Sequence, residues 1–264
     1  MGQGPAILSA TTTNNSFCII RKTVNSVRYS GRSEKGQRDI NEDAFCAEKI
    51  GGYWVFAVAD GLGGHAAGEV ASSIAIDCVR KSFRTGGQDP KTLLKQAVSA
   101  ADALIRARAA GMAEERGMAT TLTAACIDSG LCGTIINVGD TRAHLISADV
   151  LEVTKDHSYV QELVDSGDIS PEEAWRHPRS HVLTQALGDP EGGIKPDLYE
   201  GDLAGSYLLL TSDGLHDYVK VGWICEIVLR NGRDLDSSCG ELIEAALKND
   251  SDDNITVVLA YGET

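Results

Sequence analysis

Short carboxylates stand at the ends of apolar runs at four sites in this 264-residue chain. Asp60-Gly61 follows Tyr53–Ala59, Asp140 follows Ile135-Ile136-Asn137-Val138-Gly139, and Asp213-Gly214 follows Leu208-Leu209-Leu210-Thr211-Ser212. Asp252-Asp253 precedes the last apolar run. A lone Asp-Gly at a strand end is ordinarily a turn. Four such ends converging would set like charges against one another by several kcal/mol unless cations lay between them. All-oxygen ligation selects Mg²⁺ or Mn²⁺ over zinc or copper. Two such ions side by side suit hydrolysis of a phosphate ester, one activating water and one steadying the leaving oxygen. A phosphate also calls for a guanidinium, which offers it two parallel hydrogen bonds. Arg38 stands beside Asn41-Glu42-Asp43, and a solvated charged loop is the bland alternative.

The elements that must carry these residues follow from periodicity. Tyr53–Ala59 is a run of aromatic and β-branched residues and predicts a buried strand. Val70, Ile74 and Cys78 recur every four residues, and Asp89-Pro90 then opens a second helix containing Leu94, Ala97, Val98, Ala101, Leu104 and Ile105. Short runs at 120–127, 133–138, 143–146 and 151–154, divided by turn residues, predict an antiparallel meander. Helices are expected at 158–165, at a Ser170-Pro171-Glu172-Glu173 capping box, and near 221–230 and 238–248. Strands are expected at 182–187, 207–210 and 254–261. Helices and strands cluster rather than alternate, which makes the fold class α+β with helices packed on sheets.

Composition narrows the function. Hydrophobic residues at 42% and charged residues at 23% fit a globular domain. The net charge of −14 argues against nucleic acid, whose backbone needs a basic face. Seven cysteines without a C-x-x-C pair suggest core residues in a reducing, cytoplasmic setting. No run reaches the length of about 18 apolar residues that crosses a bilayer. Residues 1–26 are polar and aperiodic and are expected to be a mobile arm, with Phe17-Cys18-Ile19-Ile20 either a short strand or a docking patch.

The motifs, in order, resemble the bacterial type of the metal-dependent type 2C Ser/Thr protein phosphatases. They are Gly36-Gln37-Arg38 with Asn41-Glu42-Asp43, Asp60-Gly61-Leu62-Gly63-Gly64-His65 with Gly68-Glu69, and Gly117-Met118-Ala119-Thr120-Thr121. Val138-Gly139-Asp140-Thr141-Arg142, Asp156-His157-Ser158, His177-Pro178 and Leu183-Thr184-Gln185-Ala186-Leu187-Gly188 follow. Thr211-Ser212-Asp213-Gly214-Leu215 and Asp253-Asn254-Ile255-Thr256 complete the set, which spans about residues 27 to 261.

The resemblance implies one catalytic domain over 27–264, two antiparallel sheets packed as a sandwich with helices outside, and a flap between Asp156 and Gly188. Asp60 would bridge two tight Mn²⁺ or Mg²⁺ ions, with the Gly61 carbonyl on one and Asp213 and Asp253 on the other. Asp140, with Asp213, would hold a weaker third ion. Asp43 would belong to the metal site, Glu42 to its bound water, and Arg38 to the substrate phosphate. His65 is either the general acid for the leaving oxygen or an outer histidine that orders water. His181 and Gln185 depart from the usual flap residues and bear on substrate preference. The expected reaction is attack of a metal-activated water on phosphoserine or phosphothreonine proteins, opposing a Ser/Thr kinase, by a cytoplasmic monomer that needs neither nucleic acid nor membrane. Two alternatives are a phosphatase dedicated to one regulatory phosphoprotein and a non-catalytic module that keeps metal for structure.

Overall fold

The computed structural model describes residues 26–63, 67–111, 117–148, 150–190 and 193–263. The arm, apart from Ser26, lies outside them, as does His65. Ser26, given to the arm by the expected boundary, is the first residue of strand β1 (Ser26–Glu34).

Two five-stranded antiparallel sheets form the centre. The first contains, in spatial order, β1, β12 (Ile255–Glu263), β11 (Tyr207–Thr211), β8 (Arg142–Ile146) and β9 (Val150–Glu152). The second runs β10 (Asp197–Asp202), β7 (Cys132–Val138), β6 (Leu122–Ile127), β3 (Tyr53–Ala59) and β2 (Ala44–Ile50). A short pair, β4 (Gly61–Leu62) with β5 (Ala119–Thr120), lies beyond the end of β3.

The apolar runs are continuous because the central strands are buried on both faces. Along β3, Trp54, Phe56 and Val58 point between the sheets, whereas Val55, Ala57 and Ala59 join the outer cluster. That outer cluster packs on α1 (Ala67–Thr85) and α2 (Pro90–Gly111) through Ala71, Ala75, Val79, Leu94 and Ala101. On the opposite side, Leu209, Val257 and Leu259 face α6 (Val221–Asn231) and α7 (Leu235–Lys248), while Leu208, Leu210, Val258 and Ala260 face the centre. Side chains alternate with period two, so each strand feeds two cores. The predicted caps are formed: Asp89 Oδ1 accepts from the Thr92 amide, and Ser170 and Glu173 make a reciprocal capping box at α4 (Pro171–Ala174). Ser158 caps α3 (Tyr159–Ser166), and Asp213 opens the single turn α5 (Asp213–His216).

Two expectations are corrected. The strands between 120 and 154 are not one meander, because β6 and β7 pair in one sheet and β8 and β9 in the other. Residues 139–141 carry the chain across, since both inner faces need covering by the same core. Residues 182–187 form no strand. They contribute isolated bridges, Ser158 to Leu183 and Thr120 to Leu187, as the flap returns to the domain. No helix among the described residues is long and apolar enough to cross a membrane.

Phe56 is fully buried between the sheets, its ring 5.5 Å from that of Tyr29. Phe56→Ala should lower the unfolding free energy by about 3–5 kcal/mol in urea denaturation, through lost contacts and the cavity left behind. A loss below about 1 kcal/mol would show that the two sheets do not share this core.

Candidate active site

Strand register brings the carboxylates together. Ala44 pairs with Ala59, so Asp43 and Asp60 emerge side by side from one sheet. In the other, Thr211 lies between Arg142 and Val257, so Asp140, Asp213 and Asp253 leave at the same end. The expected Asp43, Asp60, Asp140, Asp213 and Asp253 therefore share one mouth of the sandwich, and four of them crowd the carboxylate of Asp60 electrostatically.

Asp60 and Asp43 are set by backbone and hydroxyl partners. The Asp60 amide donates to Thr121 Oγ1 at 3.0 Å, and the Asp60 carbonyl accepts from the Thr121 amide at 2.9 Å and Thr120 Oγ1 at 2.7 Å. Asp43 Oδ2 accepts from Ser212 Oγ at 2.8 Å, and that hydroxyl oxygen in turn accepts from the Thr256 amide. Glu42 enters through a close backbone approach: a Cβ at Gly68 would fall 2.6 Å from Glu42 Oε1 and 2.8 Å from the backbone carbonyl carbon of Gly61, and the second of these makes glycine necessary there. The Glu42 carbonyl accepts from the Gly61 amide at 3.2 Å.

Asn254 fastens the loop that bears Arg38. Its Nδ2 donates to the carbonyls of Lys35 and Ile40, and its Oδ1 accepts from the Glu42 amide. Sequence reasoning gave Asn254, Ser212 and Thr121 no role of their own. Buried polar side chains at strand ends were the available signal.

Arg38 lies at the rim, its Nε donating to the Asp252 carbonyl at 2.9 Å and its Nη2 to Asp253 Oδ2 at 2.7 Å. Asp253 Oδ1 accepts from the Asn254 amide. Both Asp253 oxygens are thus engaged, and among the described residues no three His, Cys, Asp or Glu side chains form a closed cation site.

The donor set nevertheless fits a cation. Asp43 Oδ1, Asp213 Oδ1 and Glu42 Oε1 are buried with no hydrogen-bond partner. Burial, and then neighbouring carboxylates, hold Asp60 and Asp213 well above the ordinary carboxylate range. Burial likewise pushes Asp43 up to about 6 and Asp140 to about 7, with Asp253 adding to the first and Asp156 and Asp217 to the second. Unpaired buried oxygens and mutual repulsion are both relieved by a hard divalent ion.

Beside the carboxylates, a cavity of about 380 Å³ opens under the flap, between Asp140, Asp213 and Asp217 on one side and Val160, Pro171 and Trp175 on the other. His181 is exposed on the flap. Gln185 Oε1 accepts from the Lys195 amide at 2.7 Å, which ties the end of the flap to the following loop.

The family model for protein phosphatase 2C matches residues 30–259. The chain belongs to the protein phosphatase 2C family. It is 38% identical over 248 residues to the serine/threonine protein phosphatase PstP of Mycobacterium tuberculosis, covering 90% of this chain and 46% of PstP. The chain thus spans about half the length of that relative. It is 35% identical over 237 residues to the serine/threonine phosphatase stp of Listeria monocytogenes, covering 86% and 93% of the two chains. Among solved structures, the catalytic domain of PstP in complex with two manganese ions matches with a TM-score of 0.81 and 36% identity, over 91% of this chain and all of that one. Two antiparallel sheets flanked by helices are the 2C-type phosphatase fold.

Protons and metal should compete for this site. A carboxylate whose folded pKa is raised stabilises the fold when protonated, and that contribution is lost as pH rises through the folded value. Without metal, the melting temperature should therefore rise as pH falls from 8 to 6.5, led by Asp60, Asp140 and Asp213. Buried His216, held well below the usual imidazole range by burial, acts in the opposite sense as pH falls through the unfolded imidazole value of about 6.5, so it enters only at the acid end of this window. Manganese added at pH 8 should raise the melting temperature more than at pH 6.5. Scanning fluorimetry in chelator and in manganese tests both, and a metal-free melting temperature that climbs with pH over this window contradicts the reading.

Proposed function

We propose that residues 27–264 form a Mn²⁺- or Mg²⁺-dependent phosphatase acting on phosphoserine and phosphothreonine proteins. The observation that carries this reading is the set of buried, unpartnered carboxylate oxygens at a mouth whose rim presents a guanidinium. Asp60 would hold both tight ions, the Gly61 carbonyl would serve one, and Asp213 and Asp253 the other. Asp140, with Asp213, would hold a weaker third. The cations would supply a water acidic enough to attack phosphorus, and positive charge against the departing oxygen.

The chain's own groups do the rest. Arg38, oriented by the Asp252 carbonyl, has guanidinium hydrogens left to meet the phosphate from the solvent side. Glu42 and Asp43, each with an unpartnered buried oxygen, would offer acceptors to that water. His65, outside the described residues, is the candidate that protonates the leaving serine or threonine oxygen. The flap over the cavity would carry the polypeptide on either side of the phosphorylated residue. A substrate of this class is the product of a Ser/Thr kinase, which this protein would oppose.

Turnover of p-nitrophenyl phosphate with manganese, abolished by chelator, separates an enzyme from a metal-stabilised binding module. Arg38→Ala should raise KM for a phosphopeptide by about tenfold to a hundredfold, the equivalent of one charge-assisted hydrogen bond of roughly 1.5–3 kcal/mol. The variant releases Asp253, so manganese affinity by calorimetry should not weaken. An unchanged KM would place Arg38 outside the substrate site. Asp60→Asn should lose at least one tight ion together with turnover.

A further inference from the structure

Asp140 reaches the site on a turn that belongs to neither sheet. β7 ends at Val138 in one sheet and β8 begins at Arg142 in the other. Gly139 turns the corner at φ +99°, and a Cβ there would fall 2.5 Å from Thr121 Cγ2, so Thr121 closes one side of the turn.

His157 closes another side, and holds Gly139 by both of its polar groups. The His157 amide donates to the Gly139 carbonyl at 2.9 Å, and the Gly139 amide donates to His157 Nδ1 at 3.2 Å. A backbone N–H can only donate, so Nδ1 carries a lone pair and the ring is neutral with its proton on Nε2. That nitrogen lies 3.3 Å from Asp197 Oδ2, an acceptor on β10 that fixes the tautomer. Only 9% of the His157 side chain is exposed.

Two further contacts make the connection continuous. Asp156 takes Arg142 in a bidentate pair, with Nη2 to Oδ2 at 2.7 Å, two residues beyond Asp140. The His157 carbonyl accepts from Thr184 across the flap, and Ser158 caps the flap's first helix.

We infer that His157, set in its Nε2–H tautomer by Asp197, is a positioning residue that holds the Gly139–Asp140 turn in place for the third cation and joins that turn to the base of the flap. This rests on the metal-site reading given under Proposed function. His157 touches neither substrate nor cation. It acts by fixing a main-chain amide, and groups behind a ligand commonly govern metal affinity by about tenfold to a hundredfold.

The test compares two amide replacements in the full chain. The Asn side chain places Oδ1 where Nδ1 stood, whereas Gln places its amide at the Nε2 position and leaves the Gly139 amide unpaired. In manganese calorimetry, wild type should take up two tight ions and a weaker third. His157→Gln should keep the tight pair and weaken the third ion by about tenfold, with His157→Asn restoring most of the loss. Nitrogen NMR of the metal-free wild type should show His157 as the Nε2–H tautomer with an unprotonated Nδ1. Asp197→Leu, at a half-exposed position, should disturb that signature and weaken the third ion in the same direction, and it keeps the test available should either His157 variant not fold.

An Nδ1–H ring in wild type, an unaltered third ion in a folded His157→Gln, equal losses in the Gln and Asn variants, or a wild type that binds two ions and no third overturns the inference and leaves the two-ion reading standing. A wild type that binds no tight ion overturns both.

Discussion

Repulsion among Asp43, Asp60, Asp140, Asp213 and Asp253 is the constraint around which the rest of the structure is arranged. In bulk water such charges at about 4 Å repel by only ~1 kcal/mol, but the repulsion grows severalfold in the reduced dielectric of a protein cleft. Left to themselves these side chains would turn to solvent. They do not, because each sits within a residue or two of a buried strand or helix end whose backbone is committed to a ladder or a cap. Thr121, Ser212 and Asn254 remove the remaining freedom by tying the adjacent main chain across strands. The sandwich core supplies the stability that the metal-free mouth gives away.

Neither sheet holds the complete set. Asp43 and Asp60 come from one, Asp213 and Asp253 from the other, and Asp140 from the crossing between them. The site therefore exists only when the sheets are packed face to face, and the inner side chains such as Phe56, Leu208 and Val258 set the spacing of the carboxylates. Two layers of helices then cover the outer faces, which is why a site made of a few aspartates needs a domain of this size. Local sequence orients each carboxylate, and tertiary packing sets the distances among them.

This division explains what could be read in advance. The aspartates were legible because a short carboxylate directly after an apolar run is a local pattern, and α1 was legible from the four-residue recurrence of Val70, Ile74 and Cys78. The sheet switch at Gly139 was not, since Gly-Asp-Thr between two strands reads equally well as a hairpin turn. Its outcome is decided by packing against Thr121, 18 residues away from Gly139. Residues 182–187 have strand composition but no neighbouring strand to receive them, so the flap geometry overrides propensity. β10 was missed for the opposite reason. Asp197-Leu198-Tyr199-Glu200-Gly201-Asp202 is an edge strand, and its charges discourage pairing with another chain while hiding it from a hydrophobicity pattern. Asn254 stood within a quoted motif, yet its three hydrogen bonds span more than 200 residues of sequence.

The charges at the mouth also bear on how a protein with a net charge of −14 can attract a phosphate dianion. The five ionised aspartates, Glu42 and Arg38 together carry five negative charges, enough to repel such a substrate at the rim. Two divalent ions, held as proposed, would leave that local total at minus one, and a third would make it positive by one. Arg38 alone cannot reverse the field, because its guanidinium is already paired with Asp253. It would contribute direction instead, offering hydrogen bonds at a fixed orientation once the cations had supplied the charge. With the ions held as proposed, the tight pair would make approach of the phosphate permissible and the third would make it favourable, and the turn that bears Asp140 would become the element through which the flap and the electrostatics of the site meet.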